Sequence, residues 1–71
     1  MKLEAGAIVK IVDNGRIVIH ITPRWTYGYC GTVVRLNDLS VSVKLAGPYE
    51  GETVRVNYPD LIVIKEAVND H

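Results

Sequence analysis

Seventy-one residues, 48% apolar and 23% charged, have the composition of one small folded domain rather than a disordered chain or a pair of domains. Eight Lys/Arg against eight Asp/Glu leave zero net charge, which argues against a dedicated nucleic-acid binder held by bulk electrostatics. A single cysteine excludes an internally cross-linked scaffold, no apolar run nears the ~20 residues of a membrane span, and residues 1–6 lack a signal-peptide core, so a cytoplasmic protein without membrane insertion is expected.

Short β-branched runs separated by turn residues make up the chain. Residues 7–12 form the first run and stop at Asp13-Asn14-Gly15, where Asn-Gly suits a type I′ hairpin turn. A second run, 16–22, places Ile17, Ile19 and Ile21 on one face and ends at Pro23. The two runs are expected to pair, as a hairpin or as the arms of a long hairpin-like loop. Either Ile8 or Val9 could be the inward residue of the first run, and Lys10 favours the set Ala7, Val9 and Ile11.

The stretch 23–31 holds Arg24, Trp25, Tyr27, Tyr29 and Cys30 with two glycines, Gly28 and Gly31, and reads as a loop. It leads into a strand over 32–36, with Val34 and Leu36 inward. The run 40–45 alternates, with Val41, Val43 and Leu45 inward and Ser40, Ser42 and Lys44 outward. A turn over 46–52 carries Tyr49. Alternation resumes over 53–58, with Val54, Val56 and Tyr58 inward, and Pro59-Asp60 breaks it before a last strand led by Leu61. The predicted core is thus Ile8 or Val9, Ile17, Ile19, Val34, Leu36, Val41, Val43, Val54, Val56 and Leu61. Nothing sustains a helical period, so the fold class is all-β, and closure into a small barrel of five to six short antiparallel strands would remove exposed edges. One domain is expected over residues 1–71, with the barrel at about 6–66 and a flexible tail at 67–71.

The order of strand, long loop, three meandering strands, one 3₁₀ turn and last strand resembles an SH3-like barrel. Gly6-x-x-Val9-Lys10-Ile11 and Gly31-Thr32-Val33-Val34 carry the likeness. The same residues, with aromatics in the first long loop and a Val56-Asn57 segment near the end, look like docking subunits of the photosystem I subunit IV type. KOW-like barrels are similar in their glycine-valine openings, though usually more basic. Proline-peptide signalling domains share only Asn57-Tyr58-Pro59, without the Ala-Leu-Tyr-Asp-Tyr motif. Type II dihydrofolate reductases have a glutamine where Arg55 stands here. The likeness to the docking subunits implies a non-catalytic accessory protein.

The candidate sites divide the functional possibilities. Arg24, Trp25, Tyr27, Tyr29 and Tyr49 are the residue types that dominate protein-binding hot spots, and loops on a rigid barrel can display them. Trp25 could equally plug one end of a small core. Lys10, Arg16, Arg24, Arg35, Lys44 and Arg55 form an alternative, nucleic-acid-binding set, with Trp25 and Tyr27 as stacking rings. Cys30 has neither base nor oxyanion site nearby in sequence and is expected to be a buried, inert thiol. His20 and His71 have no ligand-spaced partners, and Glu50 and Glu52 read as solvated turn carboxylates, so neither a metal, a cofactor nor an enzyme is expected. The leading expectation is a protein-binding adaptor. The runner-up is a nucleic-acid-binding small barrel.

Overall fold

The computed structural model describes residues 2–15 and 20–68. Five strands are present among them: β1 (Ile8–Ile11), β2 (Cys30–Leu36), β3 (Ser40–Leu45), β4 (Thr53–Asn57) and β5 (Leu61–Lys65). They form one antiparallel sheet in the order β4-β3-β2-β1-β5. The expected 3₁₀ turn precedes β5 at Tyr58–Asp60, and two more occur at Arg24–Thr26 and Gly47–Tyr49.

The sheet is not closed by hydrogen bonds, since β4 and β5 are its two ends. It nevertheless wraps a single core. Ala7, Val9 and Ile11 from the first strand region, Val33, Val41, Val43 and Leu45 from the middle, and Val54 and Val56 from β4 are all buried in one cluster. A flat five-stranded sheet would leave one face of these residues open, so the sheet must curl about them, as the right-handed twist of strands favours.

The inward set of β1 is Val9 and Ile11, preceded by Ala7, while Ile8 and Lys10 point outward. Both ladder sides of β1 are taken, by β2 and β5. That replaces the expected pairing of residues 7–12 with 16–22; Ile21 and Thr22 lie in an irregular loop, and Arg16, Ile17, Val18 and Ile19 fall outside the described residues. The turn at Asp13-Asn14-Gly15 is not type I′, which needs positive φ at both central residues. Only Gly15 has it, at 70°. Asp13 Oδ1 instead accepts from the Gly15 N–H at 3.0 Å, and the Asn14 amide donates to the Pro59 carbonyl at 3.0 Å.

β2 corrects the predicted core. Val33 is inward and opposite Val43, and Val34 is 52% exposed. A bulge between Val33 and Arg35 then shifts the phase, so that Arg35 faces Ser42 and Leu36 faces Val41, with Leu36 still exposed at the strand end. Close packing fixes the phase upstream of the bulge. A Cβ on Gly31 would stand 2.6 Å from both the Lys44 carbonyl oxygen and Val43 Cγ1, so only glycine lets β2 lie this close to β3.

Leu61 is half-buried against the core rather than fully inside it, and Tyr58 likewise, its hydroxyl donating to the Asn37 carbonyl. Ser40, expected to face water, is buried where β3 starts opposite Asn57. Beyond β5, Glu66 accepts a hydrogen bond from the Lys2 N–H at 3.1 Å and Ala67 lies against Gly6, so the chain stays on the sheet past residue 66. Residues 69–71, including His71, fall outside the described residues.

Candidate functional site

The long connection from β1 to β2 begins and ends as a continuation of the ladder. The Gly28 N–H donates to the Ile11 carbonyl at 2.7 Å, and the Ile11 N–H to the Tyr29 carbonyl at 2.9 Å. Between them, Pro23 fixes an extended entry and Arg24–Thr26 makes one 3₁₀ turn. Thr26 is buried and its hydroxyl donates to the Pro23 carbonyl at 2.6 Å, which closes the turn from within. With Thr26 buried, Trp25 on one side of it is left at the surface, while Tyr27 on the other packs partly against the core.

A polar anchor that sequence reasoning missed fixes the loop's place. Asn57 Oδ1 accepts the Ile21 N–H at 2.9 Å and the Thr22 N–H at 3.2 Å. The Asn57 N–H donates to Thr22 Oγ1 at 2.8 Å, and that hydroxyl donates to Asp60 Oδ2 at 2.7 Å. The other Asp60 oxygen accepts from Asn14 N–H at 3.4 Å, and the Asp60 carbonyl from Val12 N–H at 2.8 Å. Thr22, Asn57 and Asp60 are all buried. Among the described residues, no buried side-chain nitrogen or oxygen lacks a partner.

The five expected partner-binding residues do not form one surface. Trp25, Tyr29 and Tyr49 pack together: ring centroids lie 5.1 Å apart for Trp25–Tyr49 and Tyr29–Tyr49, and 6.5 Å for Trp25–Tyr29. The Tyr29–Tyr49 and Trp25–Tyr29 pairs meet edge-to-face, a favoured aromatic geometry. Trp25 is 45% and Tyr49 38% exposed, so the plug reading of Trp25 gives way to a surface one. Tyr49 reaches the cluster because Gly47, at φ 72°, opens the 3₁₀ turn Gly47–Tyr49. The Tyr29 phenol is raised above its ordinary value, chiefly by its hydrogen bond with Tyr49.

Arg24 and Tyr27 face elsewhere. With Asp13, Gly15 and His20 they line an open cleft of about 430 Å³. Tyr27 Oη lies 3.2 Å from His20 Nε2, the rings tilted 57° to each other. Partial burial, then the Asp60 and Asp13 carboxylates, push the Tyr27 phenol upward, with Arg24 opposing.

Of the cationic set, Lys10, Arg35, Lys44 and Arg55 are exposed on strands, Arg24 is exposed in the loop, and Arg16 falls outside the described residues. Arg35 and Arg55 flank Ser42 in register across β2, β3 and β4. Cys30 heads β2 half-buried, not fully buried as expected. Glu50 and Glu52 are exposed. Among the described residues no three His, Cys, Asp or Glu side chains gather as a metal site, and no helix is long and apolar enough to cross a membrane.

No family model, curated protein or solved structure matches the chain.

Proposed function

We propose that this is a non-catalytic, cytoplasmic docking module of SH3-like architecture that binds a larger protein or complex through Trp25, Tyr29 and Tyr49. The observation that carries the reading is the packed aromatic cluster itself, exposed at Trp25 and Tyr49 although the chain has few large side chains to spare for its surface. Burying such rings in a partner removes much apolar area from water at small entropic cost. Edge-to-face packing holds the rings in place before the partner arrives, which lowers the cost of binding further. Arg24 and Tyr27 would contact the same partner only if it also reached the cleft beside His20.

The test is a pair of variants, Trp25→Ala and Tyr49→Ala, in affinity capture followed by titration of the purified partner. Both should keep the native fold, and each should weaken the complex by about 2 kcal/mol or more. An unfolded Trp25→Ala would return that ring to the core and remove the proposal's main support. The competing nucleic-acid reading draws on Arg35 and Arg55 across Ser42. It requires oligonucleotide binding that weakens steeply with added salt and with Arg35→Ala, and that is indifferent to Tyr49→Ala.

A further inference from the structure

β5 is an end strand of the sheet and holds four consecutive apolar residues, of which Leu61 and Val63 pack against the core and Ile62 and Ile64 face outward. Natural edges are commonly blunted by charge, brevity or cover. The opposite edge, β4, has Arg55 at its centre and ends at Asn57, which is bound into the loop anchor. β5 has its one cation, Lys65, at the very end.

The ladder shows which backbone groups face that edge. Val12 N–H donates to the Asp60 carbonyl, so Ile11↔Leu61 and Val9↔Val63 are the non-hydrogen-bonded pairs of β1 and β5. The N–H and C=O of Val63 therefore point away from β1, into an edge that no strand among the described residues covers. Ile62 and Ile64 stand on the outer face, 54% and 49% exposed, with Lys10 of β1 opposite Ile62.

We infer that β5 pairs antiparallel with β5 of a second copy, about a two-fold axis through Val63. In that register each Val63 N–H donates to the other Val63 carbonyl, Ile62 stands opposite Ile64 of the second copy, and Lys65 stands opposite Leu61. The strand is self-complementary: isoleucine meets isoleucine, and the axis brings no two lysines together. Zero net charge imposes no overall repulsion between copies. An isologous contact of this kind closes at two copies instead of propagating, because each monomer spends its single apolar edge. Five residues a side bury less than a standard interface, so the dimer is a weak one that forms as concentration rises.

The seam uses none of Trp25, Tyr29 or Tyr49, so it stands or falls separately from the docking proposal. The measurement is light scattering with size separation from roughly 10 µM to about 1 mM, the range a weak complex spans. The wild type should double in mass, while Ile64→Lys, an exposed position that leaves the β1 ladder intact, should remain monomeric with an unchanged thermal melt. Val63→Pro, which removes the outward N–H, should be monomeric as well. Isotope-filtered NOEs in a mixed labelled and unlabelled sample should connect Ile62 methyls to Ile64 methyls between copies. A wild type monomeric across the whole range overturns the inference, and so does a dimer that survives Ile64→Lys.

Discussion

Two clusters meet the long loop between β1 and β2, and they invert the usual allotment of side chains. The anchor of Thr22, Asn57 and Asp60 is polar and buried, while the cluster of Trp25, Tyr29 and Tyr49 is aromatic and exposed at Trp25 and Tyr49. Small domains more often bury rings and expose carboxylates. The difference is one of what the loop needs. Its backbone N–H groups at Asn14, Ile21 and Thr22 require acceptors, which rings cannot provide and Asn57 and Asp60 can. With the loop fastened by polar atoms, Trp25 can stay at the surface, while Tyr27 and Tyr29 pack partly against the core.

That contrast can be broken most forcefully at Asp60. Asp60→Ala removes both acceptor oxygens, leaving the Thr22 hydroxyl only Asn57 Oδ1 to donate to and the Asn14 N–H without its carboxylate, and should cost about 2–4 kcal/mol in urea unfolding. Asn57→Ala should cost somewhat less, about 2 kcal/mol, because its backbone N–H still reaches Thr22 Oγ1. Trp25→Ala sharpens the comparison from the other side: the same unfolding curve should move by only ~0.5–1 kcal/mol, since the ring is nearly half exposed. If Trp25→Ala destabilised as much as Asp60→Ala, the two clusters would be equally structural.

The smallest effect is one of pH. The Tyr29 phenol is raised in the folded chain, so the unfolded chain loses that proton first as pH climbs past the ordinary tyrosine value near 10. Its contribution to stability is whole below that value and fades as pH rises through the folded one. A spectrophotometric titration should show Tyr29 ionising above the ordinary value, and Tyr49→Phe, which removes the phenol it is bonded to, should bring it back toward it.

β3 and β4 were legible in the sequence because Ser42, Lys44 and Arg55 alternate with valines and leave one choice of inward face. β1 was legible through Lys10 alone. In β2 the adjacent pair Val33-Val34 suits either face, and what selects Val33 is the bulge and the contact of Gly31 with Val43, neither written in local pattern. The anchor was missed because alternation assigns Asn57 to the outer face, correctly, but says nothing of a loop that crosses over it. Its signal was chemical: short acceptors, Asn57 and Asp60, around Pro59, with Thr22 before Pro23. The aromatic residues were visible as a set, and their division into a cluster and a cleft depended on the buried Thr26 between Trp25 and Tyr27.

The place of β1 between β2 and β5 also governs how the chain can reach this structure. The first strand is interior to the sheet, yet one of its two neighbours is the last of the five strands in chain order. No local hairpin can complete the core in advance, and most of the ladder joins residues far apart in sequence. Such a topology folds slowly for its size, on the millisecond-to-second scale rather than in microseconds. During synthesis, β2, β3 and β4 can assemble as a meander while β1 keeps one side unpaired. The second ladder of β1 is completed only when residues 61–65 dock against it.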